Sequence, residues 1–492
     1  MKVVCIYDNH FRPNIFIRNI IGEKTFGEVI LKRKSIRDKF FQFIQKQVNI
    51  DEVIELDYEW QLEAISNKIK KYGNDTRIIH LFSNFVIWDE KQVDILLKKA
   101  DYIEDNYIFV SDKKIPVLLM MNSVQQYVEL LKGYGNVLLE WEIYFNNNLN
   151  QKFQEVVTNA FFDLSIYENF LQYISGGFDA RFFNSLKSDE FIVTKSSKDK
   201  RKIKAEYTFY HLLSDEMKKW FVMPYNYQEF EDCSSYDMER YHMTDLAIRW
   251  VHGAIDLDEL EKLLEKVFYF IVTRQKHEIS TNEYLEVENS LYLKKLDERI
   301  EKLKEQKEYS IFAEFIKSGT NYTDLDEVVI KYKSLYNIIH KKLERPSYSA
   351  IGHGDLCFSN MLFNKETSLL KLIDPKGALE EKDLWTNPYY DVAKLSHSIC
   401  GRYDFFNNGL HHITLNNDLK FSLDIDFDNT EYKKLFQKYV TKNGFDYSAV
   451  RIYEASLFLS MLPLHIDNPQ KVFGFILNAI EILEEIEECL KK

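Results

Sequence analysis

Along the first 150 residues, short apolar runs alternate with helically spaced apolar positions. Val3-Val4-Cys5-Ile6-Tyr7, Val53-Ile54-Glu55-Leu56, Ile78-Ile79-His80-Leu81-Phe82 and Val117-Leu118-Leu119-Met120 are runs of the buried-strand kind. Ile36 to Gln47 and Glu90 to Lys98 carry the helical spacing between them. Strands alternating with helices predict an α/β layer with a largely parallel sheet. The polar stretch at about Asn147 predicts a boundary, so residues 1–150 read as one domain.

The rhythm then changes. Strand-like stretches at Ala180–Leu186 and Glu190–Thr194 lead into a basic turn, Lys195 to Lys204, and a helix from about Ile203 to Leu213. Trp220 to Pro224 reads as extended, Tyr236–Arg240 as a strand, and Thr244 as the cap of a helix running through Trp250. From Leu257 to Leu343 the spacing is mostly helical, strand and turn signals return at Tyr348–Gly377, and helices follow at Tyr389–Ile399, Glu431–Thr441, Tyr447–Met461 and Phe473–Leu490. A small sheet with one helix, feeding a helical remainder, predicts an α+β unit.

Composition narrows the classes. At 492 residues, with roughly 150 residues per domain as a prior, the chain holds several compact units. A hydrophobic fraction of 45% and a charged fraction of 29% are globular values. The net charge of -13 argues against nucleic acid as a partner, because phosphate backbones are bound through clustered Lys and Arg. Five scattered cysteines, Cys5, Cys233, Cys357, Cys400 and Cys489, lack CxxC spacing, so neither a disulfide framework nor a zinc site is expected and reduced thiols in a cytoplasm fit best. No stretch reaches the roughly 18 apolar residues of a membrane span.

The chemistry concentrates in Ile351-Gly352-His353-Gly354-Asp355-Leu356-Cys357-Phe358-Ser359-Asn360, followed by Met361–Phe363, a polar turn and Leu369–Ile373 leading to Asp374. A hairpin between Asn360 and Asp374 brings three oxygen-bearing side chains together. Phosphoryl transfer needs such a set: a carboxylate to orient and accept the proton of an attacking hydroxyl, and hard oxygen ligands for Mg²⁺. Asp355 suits the first role, Asn360 and Asp374 the second.

HGDxxxxN followed by a strand, a turn, a strand and Ile373-Asp374 resembles the signature of aminoglycoside phosphotransferases and choline kinases, relatives of protein kinases. The resemblance implies a two-lobed protein-kinase-like fold, with 165–243 as the smaller lobe and 244–492 as the larger one, ATP and Mg²⁺ in the cleft, and a hydroxyl-bearing small molecule as acceptor. It implies a glycine-bearing phosphate loop at Gly176 and Gly177, a phosphate lysine at Lys195 paired with Glu206, and an adenine-binding hinge at Met238, Glu239 and Tyr241. His353 becomes a brace for the loop, and Asp391 an anchor for it. Arg402 and Asp404 are candidates for an acceptor pocket or for surface charge. Trp385, Tyr389, Tyr390, Tyr403 and Phe405 are placed in sequence where an aromatic cage for a quaternary ammonium would lie.

Residues 1–150 resemble a sugar-nucleotide or glycosyltransferase-type α/β domain through their first strand, helix and second strand. The place of that family's glycine-rich loop reads Tyr7-Asp8-Asn9-His10-Phe11-Arg12-Pro13-Asn14, without glycine, which favours a degenerate binding or scaffolding domain. A nucleotidyltransferase activity would need a metal-binding Asp, for which Asp8 and Asp89 are the near-strand candidates. The whole layout, with its GGFDARFF segment, is similar to bacterial proteins of capsule and surface-polysaccharide biosynthesis. Expected, then, is a kinase acting on a sugar, amino-sugar or amino-alcohol. The alternatives are a silent nucleotide-binding scaffold and a bifunctional nucleotidyltransferase–kinase.

Overall fold

The structure, a computed structural model, describes residues 2–491 except 48, 74, 135–152, 175–183 and 189–190. The chain divides into two compact units, Met1–Phe178 and Asp179–Lys492. That division falls later than the polar stretch at Asn147 suggests. Beyond that stretch, Phe153–Val157 pairs with Asn106–Val110 and Phe161–Asp163 with Phe85–Ile87, so both return to the first unit.

The first unit is built on six strands: β1 (Lys2–Asp8), β2 (Glu52–Leu56), β3 (Thr76–Phe82), β4 (Asn106–Val110), β5 (Pro116–Met121) and β6 (Phe153–Val157). Their order across the sheet is β2-β1-β3-β5-β4-β6. Val4 and Ile6 face one core with the Leu62–Ile69 and Val124–Tyr134 helices, while Val3, Cys5 and Tyr7 face another with Ile36–Ile44 and Glu90–Lys98. Burial on both faces explains why β1 reads as an unbroken apolar run instead of an alternating one. The sheet is largely parallel, with one reversed strand: β5 runs antiparallel to both β3 and β4. Its cause is the connection: only Ser111–Ile115 separates β4 from β5, with Ser111 N–H donating to Ile115 O at 2.8 Å. A parallel crossover needs a dozen residues or more.

The second unit opens with an antiparallel sheet of β7 (Asn184–Ser188), β8 (Ile192–Ser197), β9 (Pro224–Glu229) and β10 (Ser234–Glu239), in the order β7-β8-β10-β9. The helix Lys200–Leu212 packs on it through Ile203, which joins Val222, Tyr236 and Met238 in a small core. Three local expectations change here. Strand β8 continues through Lys195 to Ser197, so Lys195 lies inside the sheet opposite Tyr236. The basic stretch is the first helical turn, because the Asp199 carboxylate caps it by accepting from Lys202 N–H at 3.0 Å. The next helix, Leu246–Val251, is capped by Asp245, not Thr244.

The hairpin β11 (Met361–Asn364) and β12 (Leu369–Leu372) pairs Met361 with Leu372 and is tied to the smaller sheet's side by Val222 N–H to Leu372 O and Leu372 N–H to Trp220 O. Behind it lies a helical body. In the Tyr447–Met461 helix every residue from Ala449 to Ser460 is buried, the pattern of a helix surrounded by others.

Candidate active site

Asp355 follows the strand Tyr348–Ile351 on a loop that leaves it no freedom to wander. Gly354 has φ of 79°, and a Cβ there would lie 2.5 Å from Lys376 Cβ, so only glycine fits. His353 is fully buried, stacks on Phe221 at 5.9 Å, shares a hydrogen bond with Ile373 O through Nε2 (2.8 Å) and accepts Asp355 N–H through Nδ1 (3.2 Å). Asp391, 0% exposed, accepts the backbone N–H groups of His353 and Gly354, each at 2.9 Å, and pairs with Arg274 at 2.7 Å. Two residues given bracing and anchoring roles by resemblance therefore contact the loop directly.

The Asp355 carboxylate keeps 45% exposure, and Lys394 Nζ stands 2.9 Å from its Oδ1. Asn360 Nδ2 donates to Asp355 O at 2.8 Å and to Oδ2 at 3.2 Å. Burial pushes the Asp355 carboxyl up, but the Lys394 ammonium, His353 and the Asn360 amide outweigh it and hold the pKa below the usual carboxylate range. Asp355 is thus ionised and oriented.

Asp374 lies two residues beyond the second hairpin strand in the left-handed region, φ 55°, a conformation Asp tolerates better than most residues. Its carboxylate is 42% exposed and lies 2.8 Å from Lys195 Nζ, which is also 2.7 Å from Glu206. Burial pushes the Lys195 pKa down, but the carboxylates of Asp374 and Glu206 outweigh it and raise it. Tyr236 OH, opposite Lys195 in the sheet, donates to Glu206 at 3.1 Å. The chain after Asp374 also touches the Glu206 helix: Ala378 N–H donates to Ala205 O at 3.0 Å, and Gly377, φ 91°, passes so close that a Cβ would sit 2.9 Å from Ala205.

The structure therefore brings together Asp355 with Asn360, and Lys195 with Glu206 and Asp374. Ile373 N–H donates to Asn360 O at 3.1 Å, joining the two groups. Met238 and Glu239 are the last residues of β10, and Tyr241 follows on the connection to the Leu246–Val251 helix. Gly176 and Gly177 lie outside the described residues. Arg402 and Asp404 are not surface charges: Arg402 pairs with Glu481 at 3.5 Å, and Asp404 is 1% exposed. Of the cage candidates, Tyr389, Tyr390 and Phe405 are spent in the core. Lys394 and Arg274 escaped sequence reasoning. A lysine one turn after Asp391 on a predicted helix was the available signal for the first; nothing local marks the second, 117 residues from its partner.

Among the described residues no three His, Cys, Asp or Glu are grouped to hold a metal. The Asn360 side-chain bonds to described residues both run from Nδ2, so Oδ1 can act with Asp374 as an oxygen ligand. One amide and one carboxylate suit Mg²⁺, which keeps several waters and takes phosphate oxygens.

No family model and no curated protein matches the chain. Solved structures similar to it include aminoglycoside phosphotransferases. They are forms of APH(4)-Ia: a thermostable mutant without ligand (12% identity, TM-score 0.35, covering 62% of this chain and 94% of that one) and another in ternary complex with AMP-PNP and hygromycin B (11%, 0.37, 62% and 91%). A third is in ternary complex with ADP and hygromycin B (12%, 0.36, 64% and 97%). TM-scores this low establish no shared fold, and the reading of the site rests on its own geometry.

Proposed function

We propose that the second unit, Asp179–Lys492, is an ATP- and Mg²⁺-dependent small-molecule kinase, whose smaller lobe, expected over 165–243, starts at Asp179, with 244–492 as its larger one. The observation that carries this reading is Lys195, a buried strand lysine in contact with both Glu206 and Asp374. A lysine shared by a helix carboxylate and a carboxylate beside Asn360 is the arrangement that grips nucleotide phosphates and their metal. ATP with Mg²⁺ supplies the phosphoryl group and neutralises charge developing on it. Asp374 and Asn360 Oδ1 would hold the metal, Lys195 would contact phosphate, and Met238, Glu239 and Tyr241 would meet adenine. Asp355 orients the acceptor hydroxyl and takes its proton. The retained set of Asp355, Asn360 and Asp374 weighs against a silent scaffold.

The acceptor we infer is a hydroxyl of a sugar, amino-sugar or amino-alcohol, in bacterial capsule or surface-polysaccharide synthesis in the cytoplasm. No helix among the described residues is long and apolar enough to cross a membrane. The first unit we read as a binding or scaffolding unit. Its Asp8 carboxylate is engaged at both oxygens by His10, His80 and Tyr134, and Asp89 caps a helix through Oδ1. Calorimetry of the full chain with Mg·ATP, followed by a screen of hydroxylated metabolites for ATP consumption, tests the reading. Binding that needs Mg²⁺ and is lost in Asp374→Ala supports it, whereas no binding at millimolar nucleotide sinks it.

A further inference from the structure

The helix Tyr390–Ile399 grips the loop around Asp355 along one face. Asp391, Lys394 and Ser398 stand at i, i+3 and i+7, positions that share a side of an α-helix. Asp391 takes the backbone N–H groups of His353 and Gly354, and Ser398 Oγ takes that of Phe358 at 3.0 Å. These two contacts fix the loop's backbone before and after Asp355. Lys394, between them, instead reaches the side chain of Asp355.

The loop from Gly354 to Asn360 contains no Lys or Arg of its own. Its cation comes from the helix, and the Lys394 side chain is only 13% exposed. An ammonium this far from water is retained only with a counter-ion, so Lys394 is committed to Asp355. A carboxylate bound at one oxygen can still swing about its side-chain torsions. Bound at Oδ1 by Lys394 and at Oδ2 by Asn360, it is fixed in plane and direction. The other charged or titratable groups near Asp355 are His353 and Cys357 on the loop and Tyr403 and Asp404 on the following helix; His353 also lowers the Asp355 carboxyl, but Lys394 is the cation in ion-pair contact with its side chain.

We propose that Lys394 is a positioning residue for phosphoryl transfer, holding the Asp355 carboxylate in the orientation that receives the acceptor proton. The inference rests on the kinase reading. In the step it serves, the acceptor oxygen bonds to the γ-phosphorus, and the bond from that phosphorus to the bridging oxygen breaks with its electron pair passing to ADP. The acceptor proton moves to Asp355. Lys394 keeps its proton throughout.

The test compares wild type, Lys394→Met and Lys394→Arg in the full chain, with three readouts: Mg·ATP affinity by calorimetry, ATP hydrolysis with water as acceptor, and melting temperature. Misplacing a reacting group by about 1 Å costs on the order of 10²-fold. Lys394→Met is expected to lower kcat by about that factor while the KM and Kd for Mg·ATP stay within about twofold, because Lys394 touches the base and not the nucleotide. Lys394→Arg, which can still donate to Oδ1, should recover at least about tenfold of the loss. Wild-type turnover that Lys394→Met matches overturns this inference alone. Equal losses of kcat and nucleotide affinity in both variants indicate a general folding role and also overturn it. Wild-type protein that binds no Mg·ATP overturns the kinase reading and this inference with it.

Discussion

Asp8 ends a buried strand in the first unit and Asp355 follows one in the second, yet their surroundings are opposite. Asp8 is 0% exposed, and its oxygens are taken by His10 Nδ1 at 2.5 Å, His80 Nε2 at 2.8 Å and the Tyr134 hydroxyl. His80 in turn meets Tyr127 OH at 2.7 Å, so the network closes within the core. Asp355 is held from behind by one ammonium and one amide and keeps 45% of its side chain exposed. A carboxylate whose lone pairs are all engaged can only hold structure together. One that is ionised, fixed and still open can accept a proton. A lowered pKa is common to both; what separates them is the exposure and unspent acceptor capacity of Asp355.

The largest effect that would break this contrast is on turnover. Asp355→Asn is expected to lower kcat by roughly 10²–10⁴-fold, the usual contribution of a positioned base, with Mg·ATP affinity nearly intact. Asp374→Ala should instead abolish Mg²⁺-dependent nucleotide binding. Turnover and calorimetry on both variants check the division of roles; near-wild-type turnover in Asp355→Asn would end the assignment.

Next in size is Asp8→Ala. Removing one partner from a buried charged network costs about 3–5 kcal/mol, so the first unit should lose most of its stability while Mg·ATP affinity is unchanged. Urea unfolding followed beside calorimetry reads both. Loss of nucleotide binding without loss of stability would make Asp8 functional and erase the contrast. The same network sets an acid limit. Burial pushes the Asp8 carboxyl up, but His10 and His80 hold it well below the usual range. A folded-state pKa below the unfolded value of about 3.9 means the stabilisation is complete above about pH 4 and is lost as pH falls through the folded value. Urea midpoints between pH 5 and pH 2 should fall in wild type and much less in Asp8→Asn.

The sequence showed much of this where local rules govern. The Tyr447–Met461 helix and the Met361–Leu372 hairpin follow from apolar spacing and turn residues, and Asp355, Asn360 and Asp374 from their spacing. It misled where tertiary context overrides propensity. Lys195 reads as the end of an apolar strand at the start of a basic turn, but the strand runs on to Ser197 because two carboxylates let it carry a buried cation. Strand β5 reads like its parallel neighbours because side-chain pattern does not encode strand direction. Lys394 and Arg274 are functional neighbours only through packing between distant segments, which no single-chain periodicity records.

The smallest expected effect sharpens the contrast with a third carboxylate, Asp404, which has neither the partners of Asp8 nor the opening of Asp355. It is 1% exposed, and neither oxygen makes a well-formed hydrogen bond. Burial pushes its pKa up to about 7, with Asp245 adding to the rise and the Ser398 hydroxyl opposing it. The sign here is the reverse of that for Asp8. Between the unfolded value of about 3.9 and the folded value, the native state holds a proton that the unfolded chain has released, so stability falls as pH rises through that window and levels off above it. Asp404→Asn removes the titration. The variant should therefore gain on wild type as pH rises from 5 to 8, by roughly 1–2 kcal/mol, the scale of an unsatisfied buried polar group. Urea unfolding of both proteins at each pH measures that difference. A gap that stays constant with pH would show that Asp404 does not titrate in this window, and that burial without partners leaves a carboxylate here as ionised as its two neighbours in the comparison.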